Sequence, residues 1–382
     1  MLSYTYYMPT QVRFAPGCLG EAGHHASLLG ARPLIASGRK WARECGVLET
    51  ILAQCPGGVL FEGIADNPPD TICDAAAEVC RTEGCDCIIA IGGGSVLDVA
   101  KAVAGLARNP GRCRDFYGRD RFTKGALPIL AIPTTAGSGS EVTPYSVLVD
   151  GEKRKKVTIT GDVLFPRIAL LDPQLTLSLP AEITLSTGLD ALAQAMEGYV
   201  SRRSTAMGDV FALEVCRAIC RWLPRALRSP EDLEARSQLM HAAALSGCII
   251  AQSGTTLVHG LGYYLTLHYG IPHGLANAML LPPVFEYNAS HVPERIAALA
   301  DALGFPPAPS EEGPAQAIVI ALQDLFRRLD FSAAARDHGV TTDHLRAHAE
   351  DIVEDAYRFK NQPGAPGAEE IHQFLLRAWE GI

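Results

Sequence analysis

The stretch Cys87-Ile88-Ile89-Ala90-Ile91-Gly92-Gly93-Gly94-Ser95-Val96-Leu97-Asp98-Val99-Ala100-Lys101 decides the fold. Five apolar residues run into three glycines, and helical spacing begins at once with Val96, Leu97, Val99 and Ala100. A short apolar run that ends in glycine reads as a strand buried on both faces. Strand, glycine turn and helix together make an anion site, because glycines let the backbone approach closely and unpaired N–H groups open the helix. Ser95 is the expected N-cap. Three successive glycines cost backbone entropy that a plain turn does not require. The spacing is neither G-x-G-x-x-G nor G-x-x-x-x-G-K-[ST], so the loop alone does not name its ligand.

Working outward, Pro33–Ser37, Leu127–Ile132 and Ile168–Leu171 are further apolar runs, and residues 70–83 carry helical spacing. Strands separated by helix-length segments predict parallel pairing and an α/β domain over residues 1–179. After Leu179-Pro180 the apolar residues recur at three and four. That spacing predicts helices over 182–200, 205–227, 231–252, 255–268, 274–288, 292–303, 313–329, 342–356 and 367–379, hence an all-helical domain over 180–382. A second polar loop, Pro133-Thr134-Thr135-Ala136-Gly137-Ser138-Gly139-Ser140-Glu141-Val142-Thr143, follows the third strand, at the carboxyl end of the sheet where open α/β folds bind ligands.

The bulk numbers fit an ordinary globular chain. It has 382 residues, 48% hydrophobic and 20% charged, enough for two domains and too apolar for disorder. A net charge of −9 argues against a protein built to hold nucleic acid. The 11 cysteines show no disulfide-like spacing and read as small buried residues of a reduced protein. The start, MLSYTYYMPTQVRF, lacks the basic and apolar regions of a signal peptide, and no apolar stretch is long enough to span a membrane. A cytoplasmic location is the expectation.

Three residues of the helical half suggest a metal centre. His259 lies on an expected helix and His273 where a turn meets the next one, 14 residues on, so helix, turn and return can aim both rings at one point. Asp190 and Gln194 are four apart and share one helix face. A carboxylate with two imidazoles suits Zn(II) or Fe(II). Taken singly, each is an ordinary polar residue.

These motifs together resemble the iron-containing (group III) alcohol dehydrogenase family over nearly the whole chain. The resemblance is carried by Phe14-Ala15-Pro16-Gly17, Asn67-Pro68, Gly92-Gly93-Gly94-Ser95 with Asp98 and Lys101, the 133–141 loop, Asp172-Pro173, Gly188-Leu189-Asp190-Ala191-Leu192 and Pro272-His273-Gly274. It implies the dehydroquinate synthase-like fold, with an N-terminal dinucleotide-binding domain, a helical metal domain and catalysis between them. It implies cofactor contacts from Asn67, Gly93, Gly94, Ser95, Asp98, Thr134, Thr135 and Lys156, to which Ser138 and Thr143 of the second loop are added. It implies metal ligation at 190, 194, 259 and 273, with Fe(II) the first expectation and Zn(II) the alternative. The implied activity is hydride transfer between NAD(P) and a small alcohol or aldehyde. The implied assembly is a homodimer, with no membrane or nucleic-acid partner.

Three departures from the family pattern matter. Gln194 stands where the family usually has His, and a neutral amide is a weaker ligand than imidazole. Tyr263 stands where many members carry another His; it is the candidate proton relay, although a phenol with a pKa of about 10 shuttles protons poorly at neutral pH. Ser37-Gly38-Arg39-Lys40 lacks the Asp that NAD-preferring members place after this strand. Arg39 and Lys40 supply cations instead, which favours NADP over NAD. The rival readings are a metal-independent reductase on the same scaffold, a lyase of the dehydroquinate-synthase type, and a non-catalytic nucleotide-binding protein. The lyase needs cations around a polyanionic substrate, and residues 241–288 contain no Lys or Arg.

Overall fold

A computed structural model describes residues 3–305, 313–353 and 360–381. The chain divides into two compact units, Met8–Ser178 and a second made of Leu179–Ile382 together with residues 3–7. The N-terminal residues join the helical unit through Gln252, whose amide bonds both the N–H and the carbonyl of Tyr7 (3.2 and 2.7 Å).

The first unit holds nine strands: β1 Gln11–Phe14, β2 Pro33–Gly38, β3 Val59–Ile64, β4 Cys87–Gly92, β5 Gly118–Arg119, β6 Ile129–Pro133, β7 Tyr145–Asp150, β8 Lys155–Thr160 and β9 Ile168–Leu171. Its helices are α1 Ala22–Ser27, α2 Trp41–Glu44, α3 Val47–Gln54, α4 Asp70–Thr82 and α5 Gly94–Arg108. Six strands form one parallel sheet in the order β1-β9-β6-β4-β2-β3, and β5, β8 and β7 form a small mixed sheet. Both faces of the large sheet are covered. Leu34, Ile88, Ala90 and Ala131 pack under α4 and α5, while Ile35, Ile89, Ile91 and Ile132 pack under α1 and α3. That double cover is why these strands read as unbroken apolar runs. Strand order reverses between β2 and β4, so Ser37-Gly38 and the Gly92–Ser95 loop meet at the switch point, where α/β sheets hold ligands.

Two expectations need correcting. The N-cap of α5 is Gly93, in extended conformation, and not Ser95, because β4 runs through Gly92 and the helix begins at Gly94 with no side-chain cap. Strand β3 and the β7–β8 hairpin were not foreseen, and β3 is interrupted in sequence by Glu62-Gly63.

The hairpin packs on α5 and is tied to it by buried polar groups. Lys101 Nζ donates to Ser140 Oγ (2.6 Å), Thr143 Oγ1 (3.1 Å) and the Tyr145 carbonyl (2.8 Å). Asp98 accepts from Ser140 Oγ (2.6 Å) and from Val147 N–H (3.0 Å). Glu141 is buried in the same loop, and burial pushes its carboxyl up to about 7. A carboxyl raised on folding gives stability that is complete below its unfolded value and is lost as pH rises through the folded one, here between about 4.5 and 7. Glu141→Gln should therefore flatten the fall in thermal stability between pH 5 and pH 8. The expected gain at pH 8 is on the order of 3 kcal/mol, at about 1.4 kcal/mol per pH unit. Parallel melting curves of variant and wild type at both pH values would disprove it.

In the second unit every element of regular structure among the described residues is helical: α6 Ala181–Val200, α7 Ala206–Arg228, α8 Leu233–Ser253, α9 Leu257–Tyr269, α10 His273–Ala289, α11 Pro293–Ala302, α12 Gly313–Arg328, α13 Leu345–Val353 and α14 Ala368–Glu380. These agree with the expected spans, except that the 354–356 end of the eighth lies outside the described residues. Helix α6 is buried at every residue from Gly188 to Val200. A helix buried all round is central, so any polar side chain on it must find a partner.

Candidate functional site

Helix α6 carries three such side chains, Asp190, Gln194 and Glu197, at spacings of four and three that align them on one face. His259 comes from the first turn of α9, and His273 is the first residue of α10. One ligand atom from each of Asp190, His259 and His273 lies within 4.8 Å of the others. His259 Nε2 is 3.4 Å and His273 Nε2 3.9 Å from Asp190 Oδ1. Asp190 and His259 are buried and His273 is half-buried.

The surrounding polar groups hold this cluster in place. Asn277 Nδ2 donates to Asp190 Oδ1 (3.0 Å) and lies 3.2 Å from His273 Nε2. Thr266 Oγ1 is 3.5 Å from His273 Nδ1. Gln194 Nε2 donates to Asp190 Oδ2 (3.1 Å), and its Oε1 accepts from Ser246 Oγ (2.9 Å). An ionised carboxylate can only accept, which orients the amide this way round. The Gln194 nitrogen therefore faces the cluster, and its oxygen, the atom able to ligate, faces Ser246. Glu197 bonds His259 Nδ1. Tyr263 stacks on His273, with ring centroids 4.8 Å apart and planes 9° from parallel.

Charge is the main problem of the site. Burial works to lower the His259 imidazole, but Glu197 and Asp190 outweigh it and push the ring up to about 10. Burial works to raise Asp190, but the His259 bond and the charges of His273 and His259 pull it below the usual carboxylate range. Two buried carboxylates, Asp190 and Glu197, bring a charge of −2, and their ion pairs among the described residues are with histidine. A divalent cation with two neutral imidazoles balances that charge, so the donor set suits a metal.

In the α/β unit Gly38, Gly93, Gly94, Thr134, Thr135 and Ser138 lie together at the switch point. A Cβ on Gly94 would lie 2.7 Å from Ser138 Oγ, and one on Gly93 would lie 3.4 Å from Thr135. The two loops thus touch, with Thr134 at the end of β6 beside them. Gly38 lies against Val96 of α5, while Arg39 and Lys40 are exposed. Asp98 and Thr143 have their partners in the Lys101 network, and Lys156 Nζ donates to Asn67 Oδ1 (2.7 Å), where Asn67 takes a left-handed backbone with φ 49°. Sequence reasoning missed Glu197, Ser246 and Asn277. The available signal was Glu197 itself, a charge in the apolar run Ala195-Met196-Glu197-Gly198-Tyr199, seven residues after Asp190.

Comparison with known proteins supports the same assignment. The family model for iron-containing alcohol dehydrogenase matches residues 9–173, and that for the family's C-terminal region matches residues 184–379. The chain is 29% identical to the NAD-dependent methanol dehydrogenase of Bacillus methanolicus, over 98% of this chain and 99% of that one. It is 31% identical to the 1,3-propanediol dehydrogenase of Citrobacter freundii over the same shares of each chain. The crystal structure of an iron-containing alcohol dehydrogenase superposes with a TM-score of 0.88 at 36% identity, covering 99% of both chains. With its parallel sheet, its helical second unit and its Asp190–His259–His273 cluster, the chain belongs to the iron-containing alcohol dehydrogenase family.

Proposed function

We propose that the protein is a metal-assisted, NADP(H)-preferring alcohol dehydrogenase or aldehyde reductase for a small, neutral substrate. The observation that carries this reading is the convergence of Asp190, His259 and His273 in a buried site of net negative charge. Asp190 Oδ1, His259 Nε2 and His273 Nε2 would hold the ion; Gln194 supports Asp190 through its nitrogen and becomes a ligand only if its amide turns over. Bound there, Fe(II) or Zn(II) supplies Lewis acidity toward an alcohol or carbonyl oxygen, and the nicotinamide supplies the hydride chemistry. The chain's own residues orient and exclude water. Tyr263, flat on His273, fills one side of the cluster and is the candidate relay for the hydroxyl proton. The uncapped first turn of α5, with Thr135 and Ser138 beside it, would take the pyrophosphate, and Asn67 and Lys156 contribute further polar contacts. The absence of Lys and Arg from 241–288 favours an uncharged substrate.

The cofactor preference rests on the end of β2, where Gly38 brings no carboxylate and Arg39 and Lys40 are exposed. Steady-state kinetics on an alcohol and aldehyde panel should give a higher kcat/KM with NADPH than with NADH. Gly38→Asp, which adds a charge that repels a 2′-phosphate, should reverse the order, with a change of about tenfold or more. A clear NADH preference in the wild type would sink this assignment. The metal-independent reading is favoured by one observation, the turn of the Gln194 oxygen toward Ser246. Metal analysis with activity before and after chelation separates the two.

A further inference from the structure

Glu197 is fully buried and is not among the groups that would hold the ion, yet it makes four hydrogen bonds to the start of α9. Its Oε1 accepts from Thr256 N–H (2.9 Å), Thr256 Oγ1 (2.7 Å) and His259 N–H (3.2 Å). Its Oε2 faces His259 Nδ1. Thr256 is the N-cap of α9, so one carboxylate satisfies donors at the start of the helix that carries His259 and also grips its ring. Because an ionised carboxylate accepts only, the shared proton belongs on His259 Nδ1. A neutral ring then has its lone pair on Nε2, the nitrogen that faces Asp190 at 3.4 Å.

We propose that Glu197 is a positioning residue for the metal centre: by keeping a proton on His259 Nδ1, it fixes the one tautomer of His259 whose Nε2 can take a divalent cation. The proposal rests on the metal reading above and goes beyond it in naming what makes His259 a ligand. It also makes a specific statement about Glu197→Gln. The backbone N–H groups of Thr256 and His259 can only donate, so they draw the amide oxygen to the Oε1 position. The NH2 group then faces His259 Nδ1, which must accept, and the ring proton moves to Nε2. An almost isosteric change thus turns the ligand nitrogen into a donor.

The test uses the full-length protein. Zinc affinity, measured by competition with a chromophoric chelator, should be 10- to 100-fold weaker in Glu197→Gln. Thermal unfolding in excess chelator should stay close to that of the wild type. Nitrogen-15 NMR of histidine-labelled Glu197→Gln should show neutral His259 protonated on Nε2. Wild-type zinc affinity in a folded Glu197→Gln, or a proton on Nδ1 in that variant, overturns the proposal and leaves the metal reading standing. A wild type that binds no zinc overturns both. If Glu197→Gln does not fold, nitrogen-15 NMR of the histidine-labelled wild type with zinc decides: a neutral His259 with its proton on Nδ1 supports the proposal, and one with its proton on Nε2 overturns it.

Discussion

Asp190→Ala is expected to leave the protein without bound metal and to lower kcat/KM by about a thousandfold or more. Several kcal/mol of charge stabilisation is what a Lewis-acid cation typically contributes, and each 1.4 kcal/mol or so is a factor of ten in rate. Asp190 is the centre of the cluster. Its Oδ1 faces His259 Nε2, His273 Nε2 and Asn277 Nδ2, and its Oδ2 accepts from Gln194. Removing it takes away the only charged ligand, leaves the Gln194 NH2 group without this acceptor and leaves the Asn277 NH2 group with His273 Nε2 alone. Some stability should be lost too, since unpaired buried donors cost about 1–3 kcal/mol each. Activity and metal content therefore need to be measured well below the melting temperature. The informative pair is metal stoichiometry after dialysis and kcat/KM on one alcohol and one aldehyde. A folded, metal-free Asp190→Ala with full activity would remove the metal from the mechanism and leave the metal-independent reading in its place. His273→Ala should behave the same way to a smaller degree, because it removes a neutral ligand from the half-buried side of the cluster.

How much of this was legible beforehand depended on what each residue type can disclose. Strands β2, β4 and β9 stood out because double cover made their residues uniformly apolar and turn residues ended them. Helices α6 to α14 stood out through their period, which is local. The triad of Asp190, His259 and His273 stood out as a set, through residue types that ligate metals and are unusual together in such apolar helices. Glu197 was equally unusual, but its meaning depends on the start of α9, about 60 residues away in sequence, which local spacing does not bring near. Gln194 shows the limit from another side. Its position four residues after Asp190 gave its helix face, yet an amide presents oxygen or nitrogen, and the contacts made in the folded packing decide which: the Asp190 carboxylate takes the nitrogen, and Ser246 is left to meet the oxygen. The Lys101 network was invisible for the same reason: Ser140, Thr143 and Tyr145 lie 39 to 44 residues beyond it.

Close packing of α10 on α6 gives the second large effect. Gly274 follows His273 directly, and a Cβ placed on it would lie 1.8 Å from the Ser186 carbonyl oxygen and 3.0 Å from Asp190 Cβ. Real Cβ atoms essentially never approach another non-bonded heavy atom within 3.0 Å, so Gly274→Ala must move the start of α10 away from α6 by about 1 Å or more. The neighbour is backbone in the interior of a buried helix, which cannot swing aside as a side chain would. The displaced segment holds His273, whose Nε2 lies 3.9 Å from Asp190 Oδ1, so the shift opens the ligand cluster itself. A displacement of that size at a catalytic group costs about a hundredfold in rate, and overpacking adds roughly 1–3 kcal/mol of destabilisation. Gly274→Ala should thus lose zinc affinity and about two orders of magnitude in kcat/KM while keeping its helical circular dichroism. Gly20→Ala is the control, since a Cβ there meets nothing within 4 Å. Wild-type metal affinity in Gly274→Ala would show that α10 can re-seat without disturbing His273. The glycine of the Pro272-His273-Gly274 motif would then owe its place to something other than the approach of these two helices.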